Sequence, residues 1–217
     1  MQELLTRSNF STEDLIKGLN KYFPQTSKCI GDLECARIAN LIHKSTQQDL
    51  WHTLKAFPVY LWQDKLSRTM GFLPELADLD WKQHQIANQF EEIGLDENHL
   101  ELQKISQKNA YVSFVSSLEI EIYRHSIYEI WQNLKAGLEI PSQWNHPQGV
   151  LIYKKHGQAV CVTFQFNEIE FLLNLQSKED LKEAKIQTCI GDESVQKILS
   201  FLIKNNLIKN VGIRAVN

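Results

Sequence analysis

Histidines and cysteines are the residues of this chain that could bind a metal ion or transfer a proton. The sequence has seven histidines and four cysteines, but neither a Cys-x-x-Cys pair nor a His-Glu-x-x-His motif. His52 follows Asp49 by three residues and His84 follows Asp80 by four, which is the spacing of ion pairs on one helical face. The sequence therefore predicts no metal site and no catalytic residue on this chain.

The carboxylate pairs and the low glycine content also give no indication of a catalytic or nucleotide-binding site. Asp78 and Asp80 lie two residues apart on one predicted helix, whereas the groups of a catalytic site usually come from separate elements. The chain has only nine glycines and lacks the P-loop, G-x-G-x-x-G and G-x-S-x-G motifs. Because phosphates are usually cradled by Gly-rich turns, these observations argue against a nucleotide-binding enzyme.

The composition is that of an ordinary folded protein. The 217 residues include 23 Lys and Arg and 26 Asp and Glu, a net charge of −3, and 43% are hydrophobic. This balance argues against disorder and against a generally basic nucleic-acid coat. The N-terminus has no signal-peptide core, no apolar run is long enough to span a membrane, and the four cysteines form no disulfide framework. We therefore expect a soluble cytoplasmic protein with reduced thiols.

Residues 1–105 predict a helical domain. Phe57 precedes Pro58 and is expected to be extended or in a turn. Asp78 and Asp80 are expected near the start of the last helix, where acids suit the helix dipole. The predicted helices follow a Ser11 cap, then run over Asp32–Leu54, Tyr60–Met70, and from Pro74 to near Gly94.

Residues 106–217 predict a mixed domain, so the fold class is α+β. Three strands and three closing helices would form a winged-helix-like unit. Residues 207–216 could add a closing strand. In order, the predicted elements are a strand over Ala110–Leu118, a helix over His125–Leu138, strands over Gly149–Lys154 and Gln158–Phe166, and helices over Asn167–Leu175, Ser177–Thr188 and Gly191–Asn205, with Asn167 and Glu170 as the capping pair of the first.

Such a unit can bind DNA or a peptide. For DNA, the last helix offers only Lys197 and Lys204 and begins with two acids, and the hairpin turn supplies a small basic cluster. For a peptide, a hairpin strand with a free edge can accept an extended chain as an added strand, beside a helix that contacts its side chains. The predicted peptide-binding residues are Val160, Cys161, Val162, Thr163, Phe164, Gln165, Lys197, Phe201 and Lys204.

Aromatic residues cluster in the helical half. They either fill the core or form a surface for a partner protein, since aromatic anchors often dominate interfaces. The candidate interface residues are Trp51, Phe57, Tyr60, Trp62 and Phe72.

Several segments resemble one protein family. They are similar in order and type to segments of bacterial proteins long labelled as DNA-binding domains, now known as MbnC-like and HvfC-like partner subunits. One segment departs from the family pattern, because Ser126 and its neighbours lack the family's proline. The matching segments are Arg37–Pro58, which ends in Phe-Pro; Leu73–Trp81, which begins Leu-Pro; Tyr123–Trp131, which ends in Ile-Trp; and the closing unit Val150–Asn210.

The resemblance implies a function. Members of this family are non-catalytic partners of multinuclear non-haem iron enzymes with a TIM-barrel fold, which oxidise cysteines of ribosomal precursor peptides. The short segment between Pro58 and Pro74 and the Leu-Trp-His-Thr-Leu segment at 50–54 favour the methanobactin type, whose products carry oxazolone and thioamide groups. The resemblance further implies a C-terminal domain that binds the leader peptide, a helical part that contacts the barrel, iron on the partner only, and neither nucleic acid nor membrane as a partner.

The residues alone leave two other functions open. One is a winged-helix DNA-binding regulator, which would bind through the two helix lysines and the hairpin turn. The other is a stand-alone enzyme that uses scattered histidines and a metal ion.

Overall fold

The computed structural model describes residues 10–95, 110–177 and 179–213, which form a mixed α and β structure. The chain divides into two compact units. The first unit comprises Met1–His84 and Arg124–His146, and the second comprises Gln85–Tyr123 and Pro147–Asn217. The α+β class predicted from the sequence is confirmed.

The division of the chain differs from the predicted boundary at 105/106 in two places. The helix near residue 130 was assigned to the C-terminal domain but belongs to the first unit. It is fixed there because the Trp131 indole donates to Asp80 and the Lys28 ammonium to the Leu134 carbonyl. The segment after residue 85 belongs to the second unit, where Lys154 donates to the carbonyls of Ala87 and Gln89.

The first unit is built from helices. Its helix α1 begins with a capping box, in which the Asp14 backbone donates to the Ser11 hydroxyl and the Ser11 backbone to the Asp14 carboxylate. Helix α5 continues past His84 into the second unit. The helices are α1 (Thr12–Tyr22), α2 (Pro24–Ser45), α3 (Leu50–Lys55), α4 (Phe57–Gln63), α5 (Leu73–Asn88) and α6 (Ile127–Ala136), with a 3₁₀ turn over Lys65–Arg68.

The predicted helix over Asp32–Leu54 is wrong at both ends. Helix α2 begins at Pro24 and bends at Gly31, whose backbone is not helical, and it stops at Ser45. Helix α3 then starts separately, because the Asp49 carboxylate accepts the backbone N–H of His52. None of the helices in the described ranges is both long enough and apolar enough to cross a membrane.

Phe57 is helical, whereas the sequence predicted an extended residue or a turn. It is the first residue of α4, and Pro58 occupies the first turn. Proline is accepted there because the first N–H groups of a helix have no partner within it. The Phe57 ring packs 4.8 Å from the Phe23 ring in the core of the unit.

The second unit contains two antiparallel sheets. The predicted strand Ala110–Leu118 is interrupted, and its two ends belong to different sheets. The interruption is at Ser116, whose N–H donates to Glu92, a residue distant in sequence. Strand β1 (Ala110–Phe114) pairs with β5 (Ile208–Ile213), and the other sheet has the order β2 (Leu118–Tyr123), β3 (Gln148–Lys155), β4 (Gln158–Phe164).

Three helices follow the hairpin formed by β3 and β4, as the sequence predicted. They are α7 (Phe166–Gln176), α8 (Leu181–Thr188) and α9 (Asp192–Lys204). Helix α7 packs closely on β3 at Gly149, where an added Cβ would lie 2.7 Å from Ile169. The buried core of the unit lies between these helices and one face of the strands, including Leu151, Tyr153, Phe171, Leu172, Ile198 and Leu202.

Candidate functional site

Strand β4 lies at the edge of its sheet. Its seven residues pair with β3 in an uninterrupted antiparallel register, from Gly149 opposite Phe164 to Lys155 opposite Gln158. In the part of the chain that the structure describes, β4 has no second pairing partner. The edge strand predicted from the sequence is therefore present, with its second row of backbone groups unpaired by any described strand.

The register shows which backbone groups of β4 point outwards. The N–H of Lys154 donates to the Ser117 carbonyl, on the β2 side of β3. The backbone N–H and C=O groups of successive residues in a strand point to opposite sides. Those of Tyr153 and Leu151 therefore point towards β4, where these residues pair with Val160 and Val162. The N–H and C=O groups of Ala159, Cys161 and Thr163 therefore point away from β3, towards the free edge.

The side chains of β4 on the inner face are partly buried beside helix α9. Val160, Val162 and Phe164 pack at the margin of the hydrophobic core. The Phe164 ring lies 5.5 Å from the Phe201 ring of α9, and Phe201 also lies 5.9 Å from Tyr153. The border of the hydrophobic core thus lies between β4 and α9, and Phe201 packs at this border.

Helix α9 presents a stripe of three residues along this margin. Lys197, Phe201 and Lys204 are spaced by four and three residues, so they share one face of the helix. Phe201 is partly buried, whereas the two lysines are exposed. The structure therefore brings Phe201 of α9 together with Phe164 of β4, and Lys197 and Lys204 flank Phe201 on the same helix face. We call this surface the β4–α9 margin.

Two predicted residues of β4 differ from expectation. Cys161 is buried on the outer face, opposite the buried Ile152. Gln165 does not belong to the strand, because its N–H donates to the Glu168 carboxylate, 3.0 Å away, at the start of α7. Phe166 is consequently the first residue of α7 and is half exposed, so the predicted strand to Phe166 and the predicted capping pair of Asn167 and Glu170 are wrong.

The turn of the hairpin is held by an acid that the sequence did not single out. His156 and Gly157 both have positive φ, at 51° and 77°, as a two-residue hairpin turn requires. Their N–H groups donate to the Glu91 carboxylate at 3.0 and 2.8 Å. The hydrogen bond from Gly157, with that from His156, lowers the pKa of Glu91. No local pattern pointed to Glu91, because it is 65 residues from His156.

The lysines of the hairpin turn are already engaged. The Lys154 ammonium donates to the carbonyls of Ala87 and Gln89, and the Lys155 ammonium donates to the Asn205 side chain at 2.7 Å. A pocket of about 250 Å³ lies beside them, where Lys204 also contributes to the wall. Its other lining residues include Glu91, Glu92, His156 and Asn206.

The predicted partner surface of the first unit divides into core and surface residues. Phe57 and Phe72 are 0% and 2% exposed, so they fill the core rather than present a surface. Trp51 and Trp62 are 47% and 51% exposed, and Tyr60 is intermediate. The Arg124 guanidinium lies 6.0 Å from the centre of the Trp62 ring, and Trp51 packs 4.8 Å from Trp81.

Asp80 forms a buried polar network in the first unit. Its carboxylate accepts the N–H and hydroxyl of Thr26 at 2.9 and 2.8 Å, and the Trp131 indole N–H at 2.9 Å. Burial raises the pKa of Asp80 to about 6, although these hydrogen bonds act in the opposite direction. Neighbouring Asp78 instead pairs with Lys82 at 3.0 Å. The expectation that both acids serve the start of α5 is therefore wrong for Asp80, which joins three helices.

The other titratable groups show structural roles. The His52 ring lies 2.7 Å from the Asp49 carboxylate, as the sequence predicted for a surface pair. Burial, with a smaller effect from Lys21, lowers the pKa of His84, which packs 4.5 Å from Tyr22. None of the four cysteines forms a disulfide in the described structure, and burial raises the pKa of the Cys29 thiol to about 11. No group of three or more His, Cys, Asp or Glu suited to a metal ion occurs among the described residues.

The comparisons with known proteins place the chain in no family. No protein-family model matches it, and no curated protein matches it either. The resemblance of its segments to the iron-enzyme partner subunits thus stays a prediction from the sequence.

Proposed function

We propose that this chain is a non-catalytic subunit that binds an extended peptide along the free edge of β4. The observation that carries the proposal is the outward row of backbone groups that includes Ala159 and Thr163, which no described strand pairs. An added strand would satisfy this row, and each net hydrogen bond would contribute about 1 kcal/mol. The β4–α9 margin would contact alternate side chains of the same peptide.

The arrangement of the second unit supports a winged-helix-like interpretation. A three-stranded antiparallel sheet is followed in the chain by three helices, and the last helix lies against the edge strand through Phe201 and Phe164. An edge strand beside a helix suits an extended peptide better than a globular partner, since main-chain pairing supplies affinity and neighbouring side chains supply specificity.

The wider proposal follows the resemblance of the sequence. The peptide would be the leader of a ribosomal precursor, and the partner would be a multinuclear iron oxidase with a TIM-barrel fold, in a cytoplasmic heterodimer. The iron and the oxidation would belong to the partner, with cysteines of the precursor as its substrate, in a methanobactin-type modification. On the first unit, the half-exposed Trp51 and Trp62 with Tyr60 are the remaining candidates for the partner surface.

DNA binding is the alternative function, and the charges disfavour it. A wing and a recognition helix need free cations to contact phosphates. Lys154 and Lys155 are engaged by carbonyl groups and Asn205, and Glu91 lies on the turn itself. Helix α9 begins with two acids, Asp192 and Glu193. Duplex binding that weakens steeply with salt would support this alternative.

The experiment compares two proline variants on adjacent residues of β4. Thr163→Pro removes an outward N–H and leaves pairing with β3 intact, because edge strands accept proline where the N–H faces away. Val162→Pro removes an N–H that pairs with β3 and should destabilise the unit. A fluorescent peptide of roughly ten residues, selected on the wild-type chain from a random display library, measures binding.

The proposal predicts that Thr163→Pro folds with near-wild-type stability and binds the peptide at least about tenfold more weakly. Unchanged affinity in a folded Thr163→Pro variant would contradict binding at this edge. Failure of every selection to yield a binder sensitive to Thr163→Pro would contradict the peptide-binding function itself.

A further inference from the structure

We propose that the peptide bound along β4 carries an apolar residue with an acidic residue two positions before it and another two positions after it. This inference rests on the proposed function and specifies its ligand. It comes from the order of side chains on α9, where Lys197, Phe201 and Lys204 share one face beside the edge strand.

The spacing of the helix stripe matches that of an extended chain. A helix rises about 1.5 Å per residue, so Lys197 and Lys204 lie roughly 6 and 4.5 Å along the axis from Phe201. In a strand, residues on one face are separated by about 6.7 Å. Lysine side chains are long and flexible enough to cover this difference. Three successive same-face residues of the peptide would therefore meet Lys, Phe and Lys.

The orientation of α9 relative to β4 places this stripe beside the strand. Phe201 contacts Phe164, near the end of β4, and Tyr153, which is opposite Val160. Asn205, four residues further along, accepts a hydrogen bond from Lys155 at the start of the hairpin turn. The C-terminal end of α9 thus lies towards the first residues of β4, so the helix runs along the length of the strand.

The charges along the margin favour acidic groups on the peptide. Lys197 and Lys204 are exposed and form no ion pair with any residue that the structure describes. Lys204 also lines the pocket of about 250 Å³ together with Asn205, so an acidic side chain there would meet the Lys204 ammonium group. The acids of this pocket are already engaged, since Glu91 binds the hairpin turn and Glu92 binds Lys209 and Ser116.

Three synthetic peptides test the inference by fluorescence anisotropy on the full chain. All have a threonine background. The first carries glutamate, leucine and glutamate at alternate positions. The second carries the same residues with both glutamates moved one position towards the leucine, which places them on the opposite face of a strand. The third replaces both glutamates of the first with lysine.

We expect the first peptide to bind about five- to tenfold more tightly than the second, and the third to bind most weakly. The double variant with Lys197→Glu and Lys204→Glu should reverse the order of affinity, so that it binds the third peptide more tightly than the first. Lys182→Glu combined with Lys44→Glu, at exposed lysines of α8 and α2, is the matched control for the double charge change and should leave the order intact.

The outcomes separate this inference from the proposed function. Equal binding of all three peptides that is still abolished by Thr163→Pro would overturn the acidic pattern and leave strand addition in place. Preference for the first peptide that disappears in the double glutamate variant supports the pattern. Binding of the first peptide that is insensitive to Thr163→Pro would overturn both proposals.

Discussion

Asp80 shows how much a single buried side chain does in this molecule. Its carboxylate receives donors from α2 and α6 while it lies on α5, at 3% exposure. A buried acceptor of this kind is strongly coupled to its donors, because donors that lose their partner in the interior cost about 1–3 kcal/mol each. Asp78, two residues away, is partly exposed and pairs with Lys82.

Removing the Asp80 carboxylate should therefore be costly. We expect Asp80→Ala to lower the free energy of unfolding by about 3 kcal/mol, because the Thr26 and Trp131 donors are left unpaired. Asp78→Ala should cost less than about 1 kcal/mol, as a surface ion pair does. Urea unfolding followed by tryptophan fluorescence measures both variants, and similar losses in the two would contradict the buried network.

The same residue predicts a dependence of stability on pH. Burial raises the pKa of Asp80 to about 6 in the folded chain, from an ordinary value of 3.8. The folded state then binds more protons than the unfolded state between about pH 4 and pH 6, so this contribution to stability is present at low pH and is lost as pH rises through 6. Acids with a lowered pKa, such as Asp64 and Glu92, have the opposite effect. Their contribution to stability is present at neutral pH and is lost as the pH falls through the lowered pKa.

The difference in unfolding free energy between wild type and Asp80→Asn isolates this effect. Relative to the variant, the wild type should lose stability from pH 4 to pH 6 and then stay constant to pH 8. A difference that is flat across this range, or that rises with pH, would show that Asp80 has no raised pKa in the folded chain.

At the scale of elements, local signals in the sequence were sufficient where a cap or turn is made by neighbours. The Ser11 cap accepts the N–H of Asp14, which follows it closely in the chain. The start of α8 was less well predicted, because the sequence pattern indicated a helix from Ser177, whereas Asp180 caps it. The strands β3 and β4 and the stripe of α9 followed from alternation and helical spacing, so the candidate site was largely predictable.

Elements that depend on distant residues were not predictable in the same way. The break between β1 and β2 occurs where Glu92 binds the Ser116 N–H, and the hairpin turn is bound by Glu91. Both acids lie far away in the sequence, so no local pattern marks them. At the end of β4, Gln165 with Glu168 and Asn167 with Glu170 have the same spacing, and only the structure distinguishes them.

The core and surface aromatics of the first unit give the next prediction. Phe57→Ala should destabilise the chain by about 3–5 kcal/mol, because it leaves a cavity beside Phe23. Trp62→Ala should change stability by less than about 1 kcal/mol, since its ring is half exposed.

If Trp62 anchors a partner, its removal should weaken that complex by about tenfold or more. The measurement is copurification and titration with a TIM-barrel iron oxidase of the proposed class. A complex of unchanged affinity with Trp62→Ala would remove Trp62 from the partner surface.

At the scale of the whole molecule, we propose different tasks for the two units. The second unit offers a strand edge that no described strand covers, beside a basic stripe, and the first offers half-exposed aromatic side chains. These two features support the central proposal, a subunit that holds a peptide for a partner enzyme.

Amide hydrogen exchange along β4 tests this claim most directly. The structure predicts an alternating response when the selected peptide saturates the wild-type chain. The N–H groups of Ala159 and Thr163 should exchange at least about tenfold more slowly, because they become hydrogen-bonded to the peptide. Those of Val160 and Val162, already paired with β3, should change little. Protection of neither set, or equal protection of both, would contradict strand addition at the edge of β4.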